Sequence, residues 1–415
     1  MDRRNFLSMG LGSLLAYSLM PRWRAEAAEV ALPRAAADAI IVLWMNGGPS
    51  HLDTWDPKPG TSVGGPTKAI NTKIPGVQIS ANLPRLAEHS NHLAILRGIT
   101  SREGNHDRAR HLVHTGYAPT PTVAHPSLGA WVSEELGPAS DLPAFVSIGG
   151  PSVSAGVLGV QYNPFVLKEA GKPPRDIKLP DKIDTDRFAR RRSALDKLEA
   201  AFATETSDPK VTGRRAVYDH AVKLMNAPGL HAFTLEEEPM SVRQAYGDSD
   251  FGRGCLLARR LIENGVRVVE VALDGWDTNQ NNFERTEDLC GKLDPAFSAL
   301  LDDLSARKRL DRTMVICMGE FGRSPKINGN DGRDHHPGAW SAVMAGGGIR
   351  GCVVAGQTDA EGDKVLGNPI QVQDLMATFA LQLGLDRDHQ IVTPLGRPLS
   401  IVDAPGKVIR DILVT

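Results

Sequence analysis

The chain has 415 residues, of which 41% are apolar and 23% charged, with a formal net charge of −2. That is enough apolar material for one large α/β domain or two smaller ones, and disorder is not indicated. No basic stripe is present, which argues against a nucleic-acid partner. The four cysteines, Cys255, Cys290, Cys317 and Cys352, are too scattered for a CxxC or zinc-ribbon pattern.

The first residues read as an address. Asp2-Arg3-Arg4-Asn5-Phe6-Leu7 has the form of a twin-arginine signal, an apolar stretch follows over 6–19, and Ala25-Glu26-Ala27 is a small-x-small cleavage site. The stretch is shorter than the ~20 apolar residues of a spanning helix. Residues 1–27 are therefore expected to be removed, leaving a periplasmic or extracellular protein with no transmembrane span; an uncleaved anchor is the alternative. Twin-arginine export carries proteins already folded, which favours a metal loaded before export.

Residues 39–45 (AIIVLWM) form a continuous apolar run, as expected of a strand buried on both faces. The run breaks into a Gly- and Pro-containing loop that carries His51, Asp53 and Asp56. An irregular stretch over 57–80 precedes a short helix at 83–89 and a strand at 92–97. The next helix, at 107–114, is closed by Gly116. The turn before it places Ser101, Asn105 and His106 at a helix N-terminus, which favours an oxyanion. His111 and His114 share a face of this helix, where a structural role is commoner than a place in a site.

A helix at 127–136 and a strand at 144–148 follow. From 151 to about 246 the texture changes: charged helices at 184–202 and 214–225 read as a helical insertion with a solvated face. The core pattern resumes with a helix at 254–264 and a strand at 266–273 (VRVVEVAL), whose end carries Asp274, Asp277 and Asn279. A long helix at 284–308 leads to the apolar strand of 313–318. That strand breaks at Gly319 into a loop bearing Glu320, Arg323, Asp331, Arg333, Asp334, His335 and His336. A strand at 341–345, a helix at 371–383 and a tail at 409–413, read as an edge strand, complete the chain.

Four strands thus end in polar, glycine-containing segments. In alternating β/α units such ends share one edge of the sheet, where ligands collect. The expected fold class is α/β, with a central, mostly parallel sheet flanked by helices, in one domain over 39–415 with its insertion at about 151–246. Carboxylates and imidazoles together suit Zn²⁺, Mn²⁺ or Fe better than Ca²⁺ or Mg²⁺. The bland alternative is a set of charged loops that pair among themselves.

Several long motifs go further. GGPSHLDTWDPKP, NHDRARHLVHTGY, DGWDTNQNN and GEFGRSPKINGNDGRDHHPGAWSAVMAGGG occur in order behind the twin-arginine signal. Over about 39–384 they resemble the DUF1501 family, which is similar in fold to the alkaline phosphatase/sulfatase superfamily. The stretch LPRLAEHSNHLAILRGIT looks like the segment around a sulfatase nucleophile, and VQDLMATFALQLGL like the helix after that superfamily's last metal loop.

The resemblance implies a metal-dependent hydrolase of sulfate or phosphate esters. Its expected ligands to a divalent Zn, Mn or Fe are Asp53, Asp277, Glu320, Asp334, His335 and His336. His106 falls where the superfamily keeps its nucleophile, with Ser101 and Thr100 just upstream, and is expected as general base or nucleophile. Arg323 or Arg110 is expected on the anionic ester oxygens. The chain also departs from the plan. Asn279 stands where His is usual, Glu320-Phe321 stands for Asp-His, His106 is not a hydroxyl, and no cysteine lies in a Cys/Ser-x-Pro/Ala-x-Arg setting. Two further readings therefore stay open: a catalytically inactive metal-binding or scaffold protein, and a binding protein for sulfated polysaccharide.

Overall fold

A computed structural model describes residues 36–414 apart from 151, 173, 175–176, 180–181, 207–208 and 404–405. The signal expected at 1–27 lies outside the described residues. In chain order the elements that place the site are β1 (Ala39–Asn46), β2 (Leu93–Thr100), α1 (His106–Thr115), α2 (Leu128–Glu135), β3 (Phe145–Ile148) and β4 (Phe165–Leu167). Then come α3 (Thr185–Thr206), α4 (Pro209–Met225), α5 (Asp250–Glu263), β5 (Val268–Asp274), α6 (Asn282–Ala306) and β6 (Thr313–Met318). The last group is β7 (Gly322–Ile327), β8 (Arg333–His336), β9 (Trp340–Ala345), β10 (Val353–Ala355), β11 (Ile370–Gln371) and α7 (Val372–Leu383).

The main sheet has nine strands in the order β10-β2-β9-β6-β1-β5-β3-β4, with β11 also on β2. β1 pairs in parallel with β5 and with β6. β9 alone is reversed, lying antiparallel to both β2 and β6. The fold is α/β with a mostly parallel sheet, and the C-terminal ends of β1, β2, β5 and β6 fall on one edge.

The apolar run of β1 follows from burial on both faces. Ile41, Leu43 and Met45 belong to one core with Leu257 and Leu261 of α5 and Phe297 and Leu300 of α6. Trp44 points the other way, its ring 4.3 Å from that of His114 on α1. A polar residue at any of these positions has no solvated side to turn to, and each large apolar side chain here contributes roughly 1.5–3 kcal/mol on burial.

The local signals place α1 well. Asn105 is its N-cap, accepting from the Arg108 N–H at 3.2 Å, and Gly116 closes it at φ +77°. Three expectations change. Residues 322–336 are not an open loop but two paired antiparallel strands, β7 and β8, with a bulge between Arg333 and His335. The segment at 151–246 is not wholly helical, since β4 extends the main sheet beside β3. The tail forms a short 3-10 turn at Arg410–Ile412 with a single bridge from Leu413 to Ile349, not an edge strand. Among the described residues no helix is long and apolar enough to cross a membrane.

Candidate metal centre at the strand ends

Three polar atoms meet where β5, β8 and α1 come together. His106, His335 and Asp277 each offer a ligand atom, an imidazole nitrogen or a carboxylate oxygen, within 4.8 Å of one another. His106 is the first residue of α1, Asp277 follows the end of β5, and His335 lies on β8. Nε2 of His106 is 3.4 Å from Asp277 Oδ1, and Nε2 of His335 is 3.3 Å from it.

The other nitrogen of each ring is already engaged. His106 Nδ1 lies 2.7 Å from Glu320 Oε1, and His335 Nδ1 lies 2.8 Å from the carbonyl oxygen of Gly104. Carboxylate and carbonyl oxygens only accept, so each Nδ1 carries the hydrogen. In the neutral rings both Nε2 atoms then present lone pairs to a carboxylate oxygen. His106 Nε2 is buried and makes no hydrogen bond among the described residues. Such a convergence of electron-rich atoms calls for a cation, either a proton or a metal ion.

The surroundings hold these atoms in place. Phe321 lies against both imidazoles, with ring centroids 4.9 Å from His106 and 4.8 Å from His335. Asp277 Oδ1 accepts from Arg323 Nη2 at 2.7 Å and from Asn279 Nδ2 at 2.6 Å. Burial pushes the Asp277 carboxyl up, but the hydrogen bond and charge of Arg323 and the nearby His106 hold it below the usual carboxylate range. His106 is shifted the opposite way. Its hydrogen bond to Glu320 raises it above the ordinary imidazole value against the opposing effect of burial.

Gly47 lets the strand ends approach. It has φ +117°, and a Cβ there would lie 2.3 Å from the backbone nitrogen of Asp277. Its own N–H donates to Glu320 Oε1 and Oε2 at 3.0 and 3.2 Å.

The sequence-based ligand set is only partly assembled here. Asp277 and His335 join the cluster, and His106, expected as base or nucleophile, joins them. Glu320 does not face the shared point; it stands behind His106, fully buried. Asp53 is turned away into a buried pair with Arg333, whose Nε lies 2.7 Å from Oδ2. The same carboxylate accepts from Ser50, Thr67 and Asn282. Asp334 is exposed and accepts from Asn328 at 2.9 Å. His336 bonds the carbonyl of Asp363 at 2.7 Å, away from His335. Ser101 donates its backbone N–H to the Pro337 carbonyl, and its hydroxyl makes no hydrogen bond among the described residues.

Arg323 does not fit the role expected of it. Nε donates to Gly48 O, Nη1 to Asn279 Oδ1 and Arg333 O, and Nη2 to Gly47 O and Asp277 Oδ1. Those five bonds use all five guanidinium N–H groups. Arg323 is fully buried, so it braces the site and has no donor left for an ester oxygen. Sequence reasoning missed Phe321 as the floor under the two rings and the Gly104 carbonyl as the partner of His335. A backbone carbonyl leaves no trace in residue type. Phe321, between Glu320 and Gly322, was the one readable signal.

A family model described as a protein of unknown function (DUF1501) matches residues 37–413. No curated protein matches the chain. Among solved structures, Ps i-CgsB in complex with k-i-k-neocarrahexaose is 11% identical, with 84% of this chain and 72% of that chain covered and a TM-score of 0.42. A protein in the alkaline phosphatase superfamily from Vibrio parahaemolyticus is 12% identical over 86% of this chain and 69% of that one, TM-score 0.40. The lipoteichoic acid synthase LtaP from Listeria monocytogenes is 11% identical over 86% and 74%, TM-score 0.37. These likenesses are too weak to carry a residue, a substrate or a metal across.

Proposed function

The chain belongs to the DUF1501 family, and from that premise we propose that it is an exported, metal-dependent hydrolase of sulfate or phosphate esters. The observation that carries this reading is the meeting of His106 Nε2, His335 Nε2 and Asp277, with both Nδ1 atoms already bonded behind them. The unpartnered His106 Nε2 and the donor set, two imidazoles and one carboxylate, fit Zn²⁺, Mn²⁺ or Fe. Bound there, a divalent ion would supply a Lewis acid for an ester oxygen.

The chain's own residues do the rest. Glu320 and Gly104 O orient the two rings, Arg323 and Asn279 hold the Asp277 carboxylate, and Phe321 covers the inner side of the site against water. The substrate would be an anionic ester, free or on a sulfated polysaccharide. The motif at residues 2–7 supports export by the twin-arginine route, to the periplasm or beyond. The same reading takes 39–415 as one domain with its insertion at about 151–246.

Elemental analysis of the mature protein, purified without chelator, tests this. Near-stoichiometric Zn, Mn or Fe is expected in the parent. It should be lost in His106→Ala and in His335→Ala but kept in His336→Ala and Asp334→Ala. Turnover of p-nitrophenyl sulfate or phosphate should disappear with the metal. A well-folded parent without metal would sink the reading.

One observation favours a second reading, a catalytically silent metal-binding or scaffold protein. Among the described residues, the side-chain hydrogen bonds and ring contacts of His106, Asp277 and His335 with other residues involve Glu320, Arg323, Asn279, Phe321 and Gly104, with no hydroxyl or thiol. Stoichiometric metal without turnover on either ester would select it. Salt-sensitive affinity for a sulfated polysaccharide, again without turnover, would select a binding protein instead.

A further inference from the structure

Glu320 was expected in the metal's own coordination sphere, yet both its oxygens point elsewhere. Oε1 takes His106 Nδ1 at 2.7 Å and the Gly47 N–H at 3.0 Å, and Oε2 takes the same N–H at 3.2 Å. The side chain is fully buried at the end of β6, so no water competes for it. His335 has only a neutral carbonyl behind it, whereas His106 has a carboxylate.

We infer that Glu320 is the positioning residue of the centre: it fixes His106 in the Nδ1–H form and so presents Nε2 to the ion. The inference rests on the metal-centre reading above. Three facts on separate elements support it. The Gly47 N–H pins the carboxylate from the end of β1. Asn105 caps α1 and fixes the backbone from which His106 projects. Phe321 lies against the ring itself. With the ring so held, the His106 ring nitrogen left without a hydrogen-bond partner among the described residues is Nε2, which lies 3.4 Å from Asp277 Oδ1. Were the hydrogen on Nε2 instead, Nδ1 would turn a lone pair on a buried carboxylate and Nε2 could not ligate. A carboxylate behind a ligating imidazole also makes its free nitrogen a stronger donor to the metal.

The test reads the ring hydrogen directly and the metal separately. In the metal-free, full mature protein at alkaline pH, nitrogen-15 NMR of the imidazoles should show His106 as the Nδ1–H tautomer. In Glu320→Gln the amide that keeps its oxygen on Gly47 turns its NH₂ toward Nδ1, so the hydrogen should move to Nε2. Co²⁺ affinity in that variant should fall about 10–100-fold, with a change in the visible Co²⁺ spectrum, and Glu320→Asp should recover part of the loss. Should Glu320→Gln not fold, the parent alone decides: an Nε2–H ring there overturns the inference. Equal Co²⁺ affinity in parent and Glu320→Gln overturns it while leaving the metal centre standing. A folded parent that takes up no Co²⁺, with His106 as Nδ1–H, overturns the metal centre itself and with it any role for Glu320 in presenting a ligand.

Discussion

Replacing Arg333 by methionine tests what Asp53 does. The pair is fully enclosed, with Arg333 and Asp53 at 0% and 1% exposure. Arg333 donates to Asp53 Oδ2 at 2.7 Å and Oδ1 at 3.4 Å, to Ser324 O at 3.2 Å, to Pro325 O at 2.6 Å and to Val63 O at 2.7 Å. Arg333→Met keeps much of the volume but leaves a buried carboxylate without its cation and three carbonyls without these donors. Breaking a buried pair from one side costs about 3–5 kcal/mol. Ser50, Thr67 and Asn282 still donate to the carboxylate, so we expect about 3 kcal/mol. Asp53→Asn in the same background removes the stranded charge, so the double variant should cost less than the two singles together. The assay is urea unfolding of the metal-free mature protein followed by circular dichroism, for the parent, both singles and the double. A cost for Arg333→Met below about 1 kcal/mol, or strict additivity in the double, would refute the claim that Asp53 serves Arg333 and not a metal.

Three further outcomes are expected. His106 is raised by its hydrogen bond to Glu320, so in the metal-free protein the stabilisation from its proton is full below about pH 6.5 and is lost as pH rises through the raised folded value. A metal must displace that proton beside Glu320, Asp277 and Arg323. Apparent Co²⁺ affinity should therefore weaken as the pH is lowered, and a flat titration from about pH 6 to 9 would contradict this. His51 shows the reverse linkage: burial pushes its ring down to about 4, while Nε2 donates to Gly362 O at 2.8 Å. The unfolded chain binds that proton first, so stability should fall as pH drops from 6.5 to about 4, by about 3 kcal/mol in full. A His51→Asn variant with an equally steep acid profile would refute it. Gly47→Ala puts a Cβ 2.3 Å from Asp277 N at φ +117° and should cost at least about 2 kcal/mol and abolish metal uptake, read by urea midpoint and elemental analysis.

The parallel part of the sheet was legible because burial on both faces writes itself as unbroken apolar runs. β1 and β6 are such runs, β5 is one broken only by the buried Glu270, and α1 announced its own ends through Asn105 and Gly116. The reversal of β9 was not legible: an apolar strand reads the same in either direction. β7 and β8 were hidden for a different reason. Their residues are charged and polar, yet Arg323 and Arg333 are enclosed because carbonyls and carboxylates take their N–H groups. That hidden strand character is also why the Asp-His-His run misled. Neighbours on a strand point to opposite faces, so His335 reaches Asp277 while His336 reaches Asp363. Composition placed the right edge of the sheet; the choice among seven charged residues there needed the pairing.

The central position of β1 has a consequence for how the chain is made. Its end pairs with that of β5, where Asn46 and Asp274 bond across 228 residues, and with the β6 side, where Gly47 reaches Glu320 across 273. At the usual pace of translation, a gap of that length means roughly 10–50 s during which the most apolar strand has left the ribosome and has no partner. Everything the cluster needs waits on the same delay, since His106 is made early and His335 late. A holdase that covers residues 39–46 during synthesis would thus govern the yield of finished protein, and a slow codon run just after β1 would lower it.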